Sequence, residues 1–366
     1  MTGKKFFLTS ITVLVLTLLI LASSVFVVDP FFHYRAPNEK LYYTLYEERS
    51  QNDGITRNFT YDSIITGTSM AENFKTSQFD GLFGTNSIKV CYSGATYKEL
   101  NDNLKVAYAS GHSVKYVLRP IDYSLLCRDK DELRDDMGDY PYWLTNTNPF
   151  DDVKYLLNQD VIVNYTLPVI IRYAKGMPGG YTSFDDYSFT GNDNTFGARQ
   201  MLGDITEFGK PGMSYEATSE DLEKVTSNVT QNIVELAKEH PETTFLYFFP
   251  PYSMAYWGGL ASGARLDEML SFKETAMELM LSCDNIHVYD FTFFTDITAN
   301  LDNYRDVAHY SPQVNEFIID TIYNGEVSKS EEYGRITKET YRAVLDKERQ
   351  LLTTYDYNAL LEGIDF

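Results

Sequence analysis

The 366-residue sequence predicts an α/β fold built on a parallel sheet, preceded by one membrane-crossing helix. Three observations lead there. Short apolar, β-branched runs alternate with stretches of helical period; the alternation continues from residue 62 to about 323; and the first thirty residues form a separate block. The runs are 63–66, 88–92, 114–118, 244–249 and 286–291. Such short continuous runs suit strands covered by helices on both faces, as in parallel sheets.

Between these runs lie the helical patterns. Residues 98–109 carry Leu100, Leu104, Ala107 and Tyr108 on one face. Residues 219–239 repeat the pattern with Leu222, Val225, Val229, Ile233 and Leu236, and Ser219, Glu220 and Asp221 supply a cap. Helices at 266–281 and 312–323 follow. About five parallel strands in this arrangement predict a three-layer flavodoxin-like sandwich, with its site at the carboxyl ends of the strands.

The third run ends at 118 and the fourth starts at 244, too far apart for one crossover helix. The insertion, at about 128–216, holds an apolar helical stretch at 161–173 and a Gly-, Asp-, Asn- and Tyr-rich passage at 176–212. At the catalytic edge of a sheet such an insertion serves as a lid or substrate element, or is a surface elaboration. The domain plan is therefore an anchor at 1–30, an aromatic stalk and entry loop at 31–60, and a body at 61–327. A tail at 328–366 follows, with an amphipathic helix at 336–352.

The anchor begins with Lys4 and Lys5, followed by the uncharged stretch 6–28. As a helix that stretch spans roughly 34 Å at ~1.5 Å per residue. A signal-peptide core is shorter, ~7–15 residues. Asp29-Pro30 stops the helix. Lysines on the N-terminal side alone place the N-terminus in the cytoplasm and the body outside the cell membrane. Cleavage after Ser24 is the competing expectation.

Asp and Glu number 52 against 31 Lys and Arg, giving a net charge of −21. Such a body makes a poor nucleic-acid binder, having no means to displace counterions from phosphates. Anionic headgroups repel it too, so the apolar helix must supply any membrane attachment. The three cysteines, Cys91, Cys127 and Cys283, imply no disulfide framework and show no zinc spacing. Asp290, Asp296, Asp302 and Asp306 lie near one another without EF-hand spacing, so neither metal nor cofactor is expected.

Two short segments carry the chemistry. In the first, the run 63–66 enters a Gly67-Thr68-Ser69 turn that opens a helix, exposing a serine beside the N–H groups of a helix start. In the second, Asp306 stands three residues before His309, in a short loop ahead of a helix. One turn of separation lets the carboxylate hold Nδ1–H while Nε2 faces the serine. Of the five histidines only His309 has an acid at i−3 in a short loop ahead of a helix; His287 heads a predicted strand. A nucleophile, a base and an orienting acid are the inventory for acyl transfer through a serine ester. Taken singly, each piece has a plain structural reading: Ser69 as a helix cap, His309 as a surface residue, and Gly94, in Cys91-Tyr92-Ser93-Gly94-Ala95, as a turn glycine. Gly67-Thr68-Ser69-Met70-Ala71 lacks the closing glycine of the α/β-hydrolase elbow.

Gly67-Thr68-Ser69, then Ser93-Gly94-Ala95, then Asp306-x-x-His309 resembles the SGNH (GDSL-like) hydrolase superfamily, matching its first, second and last motif blocks in order across about 62–323. The resemblance implies Ser69 as nucleophile, His309 with Asp306 as base, and the Ser69 and Gly94 N–H groups as an oxyanion hole. With an anchor and an insertion, the chain looks most like the exported branch. That branch includes teichoic-acid D-alanylation proteins of the DltD type and alginate O-acetylation proteins. Members of that branch partner a membrane-bound O-acyltransferase, and the acceptor is an envelope polymer.

Two positions depart from the pattern. Thr68 stands where the family usually has aspartate, and the third block lacks its asparagine donor, the strand ending in Arg119-Pro120-Ile121-Asp122 instead. Arg119 is one candidate for the missing donor, and Arg119, Asp122 and Tyr252 are the expected substrate contacts. The expectation is an extracytoplasmic serine acyltransferase moving an acetyl or D-alanyl group onto a polysaccharide or teichoic acid. The alternatives are a secreted carbohydrate esterase and a catalytically silent envelope scaffold.

Overall fold

A computed structural model describes residues 2–134, 141–146, 148–188, 195–209 and 214–364. The chain divides into two compact units, one from residues 1–60 with 135–187, the other from 61–134 with 188–366.

The second unit holds the sheet. Its strands are β1 (Ser63–Gly67), β2 (Ser87–Cys91), β3 (Tyr116–Pro120), β4 (Thr244–Phe249), β5 (Ile286–Asp290) and β6 (Arg335–Ile336). The order is β2-β1-β3-β4-β5-β6, with the first five strands parallel and β6 antiparallel at the edge. The order 2-1-3-4-5 is the flavodoxin-like one expected. Nearly every residue of β1 to β5 is buried, as strands covered on both faces require. The helices Thr76–Phe83 and Pro312–Ser328 pack together, and Leu266–Met280 packs against Ser219–Val229 and Tyr341–Thr354. The helix Tyr97–Ala109 begins at a Thr96/Glu99 capping box and that at Ser219 begins at a Thr218/Asp221 box, one residue earlier than expected. The tail is anchored, not loose: β6 joins the sheet, and Glu348 of the following helix reaches the buried Lys273.

The first unit begins with the helix Gly3–Val28, long and apolar enough to cross a membrane. It ends at Asp29, in a left-handed turn (φ 49°), whose carboxylate accepts N–H groups from His33, Tyr34 and Arg35 and the Tyr155 hydroxyl. Val25, Phe31, Leu144, Tyr155 and Val161 form an apolar core there. The expectation of a stalk at 31–60 is therefore corrected. Residues Glu48–Asn58 form a helix, and a Cβ on its Gly54 would lie 2.1 Å from the Phe31 carbonyl, so only glycine allows that approach. The apolar helix Val161–Ala174 of the insertion belongs to this unit, together with the pair Tyr42–Tyr43 and Gly180–Tyr181. Parts of the passage 176–212 lie outside the described residues.

Candidate active site

The carboxyl end of β1 sets the serine. Gly67 has φ 151°, and a Cβ there would lie 2.8 Å from both Pro120 and Ala71, so the turn passes where only glycine fits. Its carbonyl accepts the Tyr92 N–H at 2.9 Å, extending the β1–β2 pairing one step past the strands. Thr68 then caps the short helix Ser69–Ala71, accepting the Met70 N–H at 3.3 Å and donating to Asp122 Oδ2 at 3.0 Å. Ser69 emerges half-buried at the first helical position, where its N–H has no intrahelical acceptor.

The histidine loop is clasped from several sides. Tyr304 and Tyr310 pair as an antiparallel bridge, and the Arg305 N–H reaches the His309 carbonyl at 3.0 Å. Tyr304 donates to the Pro251 carbonyl at 2.7 Å, and Ser253 Oγ donates to the Val307 carbonyl at 2.8 Å. The Met70 carbonyl, one residue past Ser69, accepts from Tyr310 OH at 3.4 Å and from Asn315 Nδ2 at 3.2 Å. Those last two bonds tie the histidine loop and the helix that follows it, Pro312–Ser328, to the serine turn.

The result is a continuous chain of contacts. Ser69 Oγ lies 2.8 Å from His309 Nε2, and His309 Nδ1 lies 2.7 Å from Asp306 Oδ2. Asp306 Oδ1 also accepts the N–H groups of Ala308 and His309, both at 2.9 Å. Burial alone would raise the Asp306 pKa, but the bonds and charge of His309, with the two backbone donors, outweigh it and hold the group at about 2. An ionised carboxylate can only accept, so in the neutral imidazole Nδ1 carries the proton and Nε2 can accept from Ser69.

Beneath the turn sits a second carboxylate. Asp122 is buried, with Oδ2 accepting from Thr68, Oδ1 from Tyr252 at 2.9 Å and its carbonyl from Tyr97 at 2.9 Å. Burial raises its pKa, against hydrogen bonds from Tyr252 and Thr68 and the charges of His309 and Arg119. Asp122 and Tyr252 thus hold the serine turn from behind. With 3% and 5% of their surface exposed, neither stands where a substrate would touch it.

Arg119 is enclosed as well, with no exposed surface. Its Nη1 donates to the Asn232 carbonyl at 3.2 Å, and its guanidinium lies 4.9 Å from the Tyr97 ring centre. The structure therefore brings Ser69, His309 and Asp306 together and leaves Arg119 inside the body, so the expectation of a substrate contact there is corrected. On a strand buried on both faces, sequence alternation does not say which way a side chain points.

Gly94 follows β2 in an exposed turn with φ 62°. Among the described residues neither the Ser69 N–H nor the Gly94 N–H has a hydrogen-bond acceptor. Sequence reasoning missed Thr68 and Ser253 as positioning groups; serine after Pro250-Pro251 and just before a helix was the available signal for the latter. Among the described residues no three His, Cys, Asp or Glu side chains gather as metal ligands.

No family model and no curated protein matches the sequence. A solved structure from Streptococcus pneumonia, provisionally described as a platelet activating factor, is similar over 77% of this chain and 90% of its own. Its identity is 12% and its TM-score 0.37, too low for any argument about activity.

Proposed function

We propose that this chain is a serine-dependent acyl-transfer enzyme working through a seryl ester. The observation that carries the reading is the chain Asp306–His309–Ser69, at 2.7 and 2.8 Å, on the carboxyl side of a parallel sheet. Ser69 Oγ attacks the carbonyl carbon of an acyl donor while His309 Nε2 takes its proton. The tetrahedral oxyanion forms beside the Ser69 and Gly94 N–H groups. Its collapse expels the donor's alcohol or thiol, which leaves with the proton from His309, and the acyl group stays on Ser69. An acceptor hydroxyl then attacks that ester, giving its proton to His309, and Ser69 recovers a proton as the new ester departs.

The finer reading is that the acceptor is a hydroxyl of an envelope polysaccharide or teichoic acid and the acyl group acetyl or D-alanyl. A membrane-bound O-acyltransferase would supply the donor on the same membrane. Support comes from the motif resemblance and from the apolar helix, which would hold the site beside such a partner. With water as acceptor the same residues make an esterase.

The test is covalent labelling of the full-length protein with a fluorophosphonate, read by intact mass. Wild type should gain one phosphonyl group and Ser69→Ala none. Equal labelling of the two removes Ser69 as the nucleophile, and no labelling of either favours a silent scaffold.

A further inference from the structure

The helix Val161–Ala174 of the first unit is apolar on two opposite faces. On one face Val161 and Val169 are buried, and the first half of the helix packs against Gly3–Val28. Val161 shares its core with Val25, Phe31 and Tyr155. On the other face Val163, Leu167, Ile170 and Ile171 are exposed, at the i, i+4, i+7, i+8 spacing of one helical stripe. Apolar surface all round a helix belongs inside a protein core or a membrane, and here the core covers one side only. From Val161 to Ala174 the helix runs about 21 Å at ~1.5 Å per residue, too short to cross ~30 Å of hydrocarbon. That length suits a helix lying in the membrane surface.

We propose that this helix lies in the leaflet at which Gly3–Val28 ends, with lipid acyl chains covering its exposed stripe and filling the groove beside it. This placement presupposes that Gly3–Val28 crosses the membrane. Continuity with that helix carries the choice of lipid. Leu16, Leu19, Ile20 and Val27 wall a groove of about 630 Å³ that Ile170 and Tyr173 also line. A span starting at Phe6 crosses the hydrocarbon in about 20 residues, so Leu16, Leu19 and Ile20 lie in its second half. Side chains sharing a groove with them sit at that depth, where the surrounding solvent is hydrocarbon. Charge agrees. Residues 161–184 contain no Asp or Glu, in a chain that has 52, so the repulsion from anionic headgroups is missing along this stretch. Lys40, which lines the groove, and Lys175, just past the helix, are exposed cations suited to lipid phosphates. Tyr173 is of the aromatic type enriched where acyl chains meet headgroups. The first helix supplies the attachment; the second seats its own unit in the leaflet, as interfacial helices do at a depth of ~5–10 Å.

Fluorescence quenching by lipids with brominated acyl chains reads this placement. Full-length protein is reconstituted into phosphatidylcholine vesicles at a high lipid-to-protein ratio, with no other protein present. Ile171→Trp adds an indole on the stripe, Tyr173→Trp one in the groove, and Leu14→Trp one midway along the first helix. All three positions are exposed, so no substitution enters the core. Wild type, with Trp143 and Trp257, sets the background. The added fluorescence of Ile171→Trp and Tyr173→Trp should be lost as fully as that of Leu14→Trp. Bromine near the headgroup end of the chain should act best on the first two, and bromine near the methyl end on Leu14→Trp. If brominated lipid quenches Leu14→Trp but leaves Ile171→Trp and Tyr173→Trp at their unbrominated intensity, the placement is overturned, and water or another protein segment covers the stripe. An unquenched Leu14→Trp removes the anchor itself, and the placement with it, which is a separate result.

Discussion

Lys273 has no exposed surface, and its ammonium lies 2.5 Å from Asp290 Oδ2, 2.6 Å from Glu348 Oε1 and 3.3 Å from Thr292 Oγ1. One cation thus faces two carboxylates inside the body. Burial raises the Glu348 pKa to about 7, with the Asp290 charge adding to the rise and Lys273 opposing it. The sign follows from linkage: an acid whose folded pKa exceeds its unfolded value binds more protons when folded. Its contribution is fullest below the unfolded value, near 4.5, and is lost as pH rises through 7. Urea midpoints should therefore fall between pH 5 and 8 in wild type, and Glu348→Gln should flatten that fall. Removing Lys273 instead leaves two buried carboxylates unpaired, at a cost of about 3–5 kcal/mol. A Glu348→Gln protein with an unchanged pH slope would place the titration elsewhere.

At the scale of elements, the turn after β1 decides whether the site exists. Gly67→Ala must push against Pro120 and Ala71 at 2.8 Å while holding φ 151°. Overpacking costs ~1–3 kcal/mol and the φ a further ~1–3, so a loss of roughly 2–6 kcal/mol is expected in a urea melt. Ser69 labelling should drop with it even at temperatures where the variant stays folded, because Thr68 can no longer reach Asp122. A fully labelled Gly67→Ala would show the turn to be adaptable. The parallel strands were legible because each is a continuous apolar run long enough to stand out, and the serine turn because glycine and a capping residue mark its end. The edge strand β6 was not, since two residues carry no period and its place comes from pairing with Val288 and Tyr289. Residues 31–60 read as a stalk because their partners, Leu144, Tyr155 and Val161, come from far along the chain.

For the molecule as a whole, the question is whether the first helix is a permanent part. Its outer turns are exposed apolar surface, as lipid contact requires, while its last turn belongs to a folded core: Val25 and Val28 are buried, and Val25 packs with Phe31, Tyr155 and Val161. Leu16, Leu19, Ile20 and Val27 line one apolar groove of about 630 Å³ together with Ile170 and Tyr173 of the helix Val161–Ala174. Cleavage after Ser24 would strip that groove of Leu16, Leu19 and Ile20 and leave Val25 at a frayed terminus. A protein of net charge −21 gains nothing from an anionic membrane surface, so any membrane attachment must come from the helix. The expectation is a full-length 42.0 kDa chain that stays in the pellet when membranes are washed with alkaline carbonate. Mass spectrometry of that pellet should find the N-terminal peptide intact. A mature chain beginning at Val25 in the soluble fraction would mean that the helix is only an export signal, and that the acyl donor must reach Ser69 away from the membrane.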